Sequence, residues 1–113
     1  MPKTKKYTKK TDRKKVKEEL SKDVPMLIRI YRETCPACQM SEKPWREFCE
    51  KKSPSGFTIV EVEEEAMPPE MMTGITGFPT YAIHGKDGEN KHHTGALMSP
   101  SDIEEFIETD QEE

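Results

Sequence analysis

Apolar positions along this chain fall into short runs whose internal spacing changes from one run to the next. Val16 and Leu20 are four apart and give one thin apolar face to a helix that Thr11 or Asp12 can cap and that runs to about residue 22. Pro25 breaks helix and opens the run Met-Leu-Ile-Arg-Ile-Tyr at 26–31, which reads as a buried strand. A long helical segment is predicted from Cys35 to about Lys52, kinked by Pro44 inside it. The Ser-Pro-Ser-Gly stretch at 53–56 is a loop, and 57–63 alternates as a strand with Phe57 and Ile59 turned inward. Pro68 and Pro69 start a short helix through Met71 and Met72 that Gly74 ends. Residues 79–84 form a strand, and Gly-Lys-Asp-Gly at 85–88 is hairpin chemistry, because Asp-Gly supplies the positive φ of a tight turn. The strand returns over 91–94. Ser99 and Pro100 then open a final helix with Ile103, Phe106 and Ile107 on one face. Strands alternating with helices, then a hairpin and a last helix, predict an α/β domain with a mixed sheet of about four strands covered on both faces.

Hydrophobic residues are 32% and charged residues 35% of the 113 residues, so the core must be compact and the surface very polar. That length accommodates one domain. No apolar run reaches the roughly 18 residues of a membrane helix, so no membrane partner is expected. The N-terminus shows no signal-peptide stretch, and the C-terminus carries no retention or lipidation signal. The expected location is the cytoplasm, with the nucleus as the alternative. Charge is uneven: residues 1–22 carry a net +7 and residues 23–113 a net −11. The split predicts a basic N-terminal arm with a short helix over 1–22, a globular domain over 23–110 and an acidic tail at 111–113. The lysines of the arm could contact nucleic acid or a nuclear import receptor. We favour a solvated tail, or one docked on its own acidic body, because only Tyr7 is available to stack on bases.

The chemistry centres on Cys35-Pro36-Ala37-Cys38. A thiolate is the nucleophile of thiol–disulfide exchange, and a helix N-terminus favours it through free N–H groups and the helix dipole. Cys35 is expected at that position, straight after a strand. Pro36 suits the first helical position, where a missing N–H had no partner anyway. Cys38 lies one turn on, on the same side, where it can attack a mixed disulfide on Cys35. The rival is a metal site. Zinc usually needs four ligands, and only Cys49, His84, His92 and His93 remain. Along an unbroken helix Cys49 would lie about 20 Å from Cys35, so it reads as a small buried residue. The two adjacent histidines read as surface residues beside a hairpin, and no metal site is expected.

With these residues in view, the chain resembles the thioredoxin-like family over about residues 24–109. The resemblance rests on the strand leading into Cys-x-x-Cys, the internal Pro44, the segment Ile75-Thr76-Gly77-Phe78-Pro79-Thr80, the hairpin, Gly95-Ala96 and the terminal helix. Pro79 lies 44 residues after Cys35, and Gly95 lies 16 after Pro79, as in thioredoxins. The resemblance implies a three-layer thioredoxin fold and a cis Phe78–Pro79 bond beside the sulfurs. It implies that Thr34, Pro36, Ala37, Phe78, Pro79 and Gly95 form a shallow substrate groove around Cys35, with Ala96 beside them, and that substrate pairs with the Phe78 backbone as an added strand.

It further implies a protein thiol–disulfide oxidoreductase in which Cys35 attacks and Cys38 resolves. No bound cofactor is needed, because the electrons sit on the sulfurs. The partners would be disulfide-containing proteins, with a thioredoxin-reductase-like enzyme or glutathione to recycle the pair. The alternatives are a disulfide oxidase or isomerase of the protein disulfide isomerase type, and a non-catalytic binding module on the same fold. The chain departs from the family at three places. Thr34 replaces a Trp, and Pro36-Ala37 replaces Gly-Pro. Arg29 stands where thioredoxins bury an acid. A buried Arg29 needs a carboxylate, which Glu61 or Glu63 on the next strand could supply. It would then favour the thiolate and tune the couple toward oxidant; otherwise its head points to solvent. The N-terminal segment shows no clear first strand.

Overall fold

The computed structural model describes residues 4–51, 57–84 and 90–108. The expected loop at 53–56, the hairpin turn at 85–88 and the acidic tail at 111–113 lie outside the described residues. The elements run β1 (Thr4–Tyr7), α1 (Arg13–Leu20), β2 (Met26–Tyr31), α2 (Pro36–Met40), α3 (Glu42–Lys51), β3 (Thr58–Glu63), β4 (Thr80–His84), β5 (Asn90–Thr94) and α4 (Pro100–Glu108). Pro69–Met71 is a single 3-10 turn at the expected short helix.

The sheet has five strands in the order β1-β3-β2-β4-β5, against the expected four or so. β1, β3 and β2 run parallel, and β4 and β5 pair antiparallel beyond them. The additional strand lies inside the segment expected to be a separate arm. Its sequence, Thr-Lys-Lys-Tyr, has no apolar run, because β1 is an edge strand with only Lys5 and Tyr7 half-buried. Lysine on an edge also blocks pairing with a further chain. The segment is bound to the body by charge as well as by the sheet. Lys17 reaches Glu70 at 3.1 Å and Arg13 Nε donates to the Glu65 carbonyl at 2.8 Å, while within the segment Lys5 and Lys22 reach the buried Glu19 of α1 at 3.0 and 3.1 Å.

Alternation along the strands divides the core. Met26, Ile28 and Ile30 face α1 with Val60 and Val62, and they pack on Val16 and Leu20. Leu27, Ile59, Tyr81 and Ile83 face the other way, onto Trp45, Phe48, Cys49 and Ile103. Helices therefore cover both faces, in three layers. Phe48 is fully buried, and truncating it to Ala would cost about 3–5 kcal/mol. Among the described residues no helix is long and apolar enough to cross a membrane.

The long helix expected over 35–52 is two helices, broken at Ser41 rather than kinked at Pro44. A proline ring clashes with the carbonyl four residues back, here that of Met40, and brings no N–H. Ending α2 at Met40 and restarting at Glu42 puts Pro44 in the first turn of α3, where no intrahelical donor is required. The expected inward Phe57 is half-buried. His93 is not the plain surface residue expected. It is half-buried with its ring 6.2 Å from Tyr81 and 5.8 Å from Phe106.

Candidate active site

The C-terminal end of β2, a central strand, delivers the chain into α2. Ligands bind at this edge in open α/β sheets, where successive connections diverge. Cys35 is the N-cap of α2, with extended backbone (φ −84°, ψ 120°), and Pro36 occupies the first turn. Cys35 is half-exposed and Cys38 is buried; both are free thiols. The Cys38 N–H donates to Cys35 Sγ at 3.3 Å. The Cys35 thiol points at the Phe78 carbonyl, 3.6 Å away. The Arg32 N–H donates to Cys38 Sγ at 3.4 Å.

The two thiols are driven apart in acidity. Burial opposes ionisation of Cys35. It is outweighed by hydrogen bonds from the Cys38 thiol and from the N–H groups of Cys38 and Ala37, and by the nearby Arg32 charge, so Cys35 is held below the usual thiol range. Burial pushes Cys38 up to about 11; the Arg32 N–H opposes the shift and the Cys35 sulfur reinforces it. Such a division suits an attacking thiolate beside a thiol kept in reserve.

The Phe78–Pro79 bond is cis. Pro79 is buried and Phe78 half-buried. The Gly95 N–H donates to the Pro79 carbonyl at 2.8 Å. Gly95 has φ +114°, a conformation that disfavours any side chain. The structure thus brings Cys35, Cys38, Pro36, Ala37, Phe78, Pro79 and Gly95 to one end of the sheet. Thr34 lies in the exposed link before Cys35. Arg29 lies beneath the site, 1% exposed rather than solvent-facing. Its partner is Glu61, at 2.8 Å. Of the two foreseen carboxylates, Glu63 is used elsewhere, accepting from the N–H groups of Glu33 and Glu65.

Three further residues belong to the site and were not expected. Arg32 lies with its guanidinium 4.6 Å from the centre of the Phe78 ring, and Glu64 holds it by two hydrogen bonds of 2.9 and 3.0 Å. Ser41, fully buried, sits at the helix break. The signal for Arg32 was its place at the end of β2, three residues before Cys35; nothing in the periodicity singled out Ser41. Cys38 also lines a cavity of about 280 Å³ with Lys6, Tyr31, Glu33, Gln39 and Glu42. Among the described residues no cluster of three or more His, Cys, Asp or Glu could hold a metal ion. Cys49 is buried in the core beside Trp45 and Phe48, and burial pushes its thiol up to about 12.

A family model described as Thioredoxin matches residues 6–109. No match was found among curated protein sequences. Among solved structures, chloroplastic thioredoxin z is similar with a TM-score of 0.70 at 18% identity, covering 95% of this chain and 94% of that one. The thioredoxin of Malassezia sympodialis gives 0.68 at 16% identity, covering 95% and 91%. The thioredoxin of Trypanosoma brucei brucei gives 0.62 at 17%, covering 85% and 86%. At these identities the structures speak for the fold, and the family model for membership. The chain belongs to the thioredoxin family.

Proposed function

We propose that this thioredoxin-family chain is a protein thiol–disulfide oxidoreductase working through a Cys35/Cys38 dithiol couple. The observation that carries the reading is the pair itself. One sulfur is half-exposed at a helix N-cap and acidified, and the other is buried one turn later with its N–H on the first at 3.3 Å. In the reducing direction the Cys35 thiolate attacks a substrate disulfide. A Cys35–substrate bond forms and one substrate sulfur leaves as thiolate. Cys38 then attacks Cys35, the ring disulfide closes, and the second substrate thiolate leaves. Two electrons pass from the dithiol to the substrate, and the two thiol protons end on the product thiols by way of water.

Proteins bearing accessible disulfides are the substrate class. An extended segment would lie against the Phe78 backbone and over the exposed Pro36 and half-buried Ala37, adding a short strand. No bound cofactor enters the reaction. A thioredoxin-reductase-like enzyme or glutathione would return the electrons. The lysines and arginine of the N-terminal segment that are engaged with Glu19, Glu65 and Glu70 support a structural use of that charge over a nucleic-acid partner. The test is reduction of insulin disulfides with dithiothreitol as electron source. Wild type should accelerate it, Cys35→Ser should abolish the acceleration, and Cys38→Ser should stall as a mixed disulfide. A Cys35→Ser variant as active as wild type would leave a binding module as the reading.

A further inference from the structure

Arg29 stands in the middle of the sheet, the register partner of Glu61 on β3 and of Tyr81 on β4. A guanidinium this deeply buried is costly unless its charge is paired and most of its donors are used; here Nη1 and Nη2 are used, and Nε is buried without a hydrogen-bond partner. Nη1 donates to Glu61 Oε2 at 2.8 Å, which accounts for the charge. The remaining contacts are directed elsewhere. Nη2 donates to the Cys38 carbonyl at 2.8 Å and to Ser41 Oγ at 3.0 Å. The Ser41 hydroxyl in turn donates to the Ala37 carbonyl at 2.8 Å. The aromatic rings of Tyr31 and Trp45 flank the guanidinium, with centres 5.3 and 5.8 Å from its carbon. The carbonyls of both residues that follow Pro36 therefore end on one network rooted in two strands. The network reaches the turn of Cys38; the cation beside Cys35 is a different residue, Arg32.

We propose that Arg29, clamped by Glu61, is a positioning residue for the second half of the exchange: it fixes the peptide of Cys38, and so the approach of the Cys38 sulfur to a mixed disulfide on Cys35. The inference rests on the dithiol reading above. In the step concerned, the Cys38 thiol gives its proton to water. The cavity that Cys38 lines with Tyr31, Glu33, Gln39, Glu42 and Lys6 offers water a route to it. The Cys38 thiolate attacks Cys35, the Cys35–Cys38 bond forms, the Cys35–substrate bond breaks, and the substrate sulfur leaves with the electron pair and is protonated by water. Arg29 does not receive the proton, since a guanidinium stays protonated and has no acceptor. What it supplies is a fixed cation and two directed donors at α2, a helix of five residues too short to hold its own geometry.

The experiment separates the two halves of the exchange in the full chain. Attack is read as the rate of Cys35 alkylation by iodoacetamide across pH. Resolution is read from a preformed mixed disulfide of Cys35 with thionitrobenzoate, as coloured thiol released when Cys38 closes the ring. The variants are Arg29→Gln/Glu61→Gln, which removes both charges together, Arg29→Lys, which keeps the charge without the fork, and Ser41→Ala, which leaves the ion pair in place. The double variant should resolve about tenfold more slowly, the scale of one charge-assisted hydrogen bond, while alkylation of Cys35 changes by less than about twofold. Arg29→Lys should recover part of the loss, and Ser41→Ala should show a smaller slowing of the same step alone. If the double variant does not fold, Ser41→Ala decides: an unchanged release rate overturns the proposal. So does equal slowing of alkylation and release, which would mark a generally loosened site. Failure of the dithiol reading looks different, because wild type itself would then release no thiol from the mixed disulfide.

Discussion

The backbone N–H of Cys38 is directed at the sulfur of Cys35, 3.3 Å away. The bond acts on Cys35 alone, since a backbone N–H does not change with the state of the Cys38 thiol. It stabilises a charge on Cys35 and belongs to the residue whose own sulfur burial keeps neutral. The reduced protein should therefore alkylate in two phases. Cys35 should react first, at a rate that falls only as pH drops through a pKa below the usual value near 9.0. Cys38 should resist until the pH nears about 11. Mass spectrometry of timed iodoacetamide digests checks this. Cys38→Ala, which removes the thiol donor to Cys35, should move the Cys35 profile upward. Simultaneous labelling of both cysteines at neutral pH would contradict the division.

Arg32 and Glu64 set a second handle on Cys35, of opposite signs. Arg32 is a cation near the sulfur and lowers its pKa. Glu64 holds the guanidinium at 2.9 and 3.0 Å and offsets part of that charge. Arg32→Gln should raise the Cys35 pKa, and Glu64→Gln should lower it. The Arg32 side chain is 47% exposed, so each effect on the alkylation rate at a pH near the midpoint should stay within about fivefold and weaken in salt. Shifts of the same sign in both variants would mean that Arg32 acts through packing on Phe78 instead of through charge.

Glu19 ties β1 to α1 within the N-terminal segment, and its pH dependence is fixed in sign. Burial raises its pKa, but hydrogen bonds from Lys5 and Lys22 outweigh this and hold it below the ordinary 4.5. A folded pKa below the unfolded one gives stability that is present above 4.5 and lost as pH falls through the folded value. Glu19→Gln should lower the Tm at neutral pH, and its difference from wild type should shrink in acid. Thermal melts over pH test it. A difference that persists unchanged in strong acid would assign the loss to packing.

These residues also show which parts of the structure the sequence disclosed. β2, β3 and β4 are central, so their apolar runs stood out, and the fold class followed from them together with the motif spacings. β1 is an edge strand of alternating half-burial, so its lysines read as a tail. Its partner Glu19 lies 14 residues from Lys5, too far for a local pattern to register. The helix break was legible in kind, through Pro44, but not in place. A carboxylate for Arg29 could be foreseen because adjacent strands put neighbours side by side. That Arg29 would contact the Cys38 turn depends on where Ser41 interrupts the helix, which no periodicity records.

The last expectation concerns the potential of the couple. A lowered Cys35 pKa stabilises the reduced protein wherever Cys35 is ionised, and a more stable reduced form makes the disulfide form a stronger oxidant. Potentials among dithiol proteins of this kind run from about −270 mV to about −120 mV. The Cys35/Cys38 couple should lie above the lower end, and Arg32→Gln should move it downward by removing part of the thiolate stabilisation. Equilibration with glutathione, quenched in acid and resolved by mass, measures it. Cys49→Ser should leave the value unchanged, because burial holds that thiol up near 12, out of the exchange. A potential at the low end, insensitive to Arg32, would mean that the disulfide form is stabilised as much as the thiolate. The chain would then act as a reductase in spite of its acidic nucleophile.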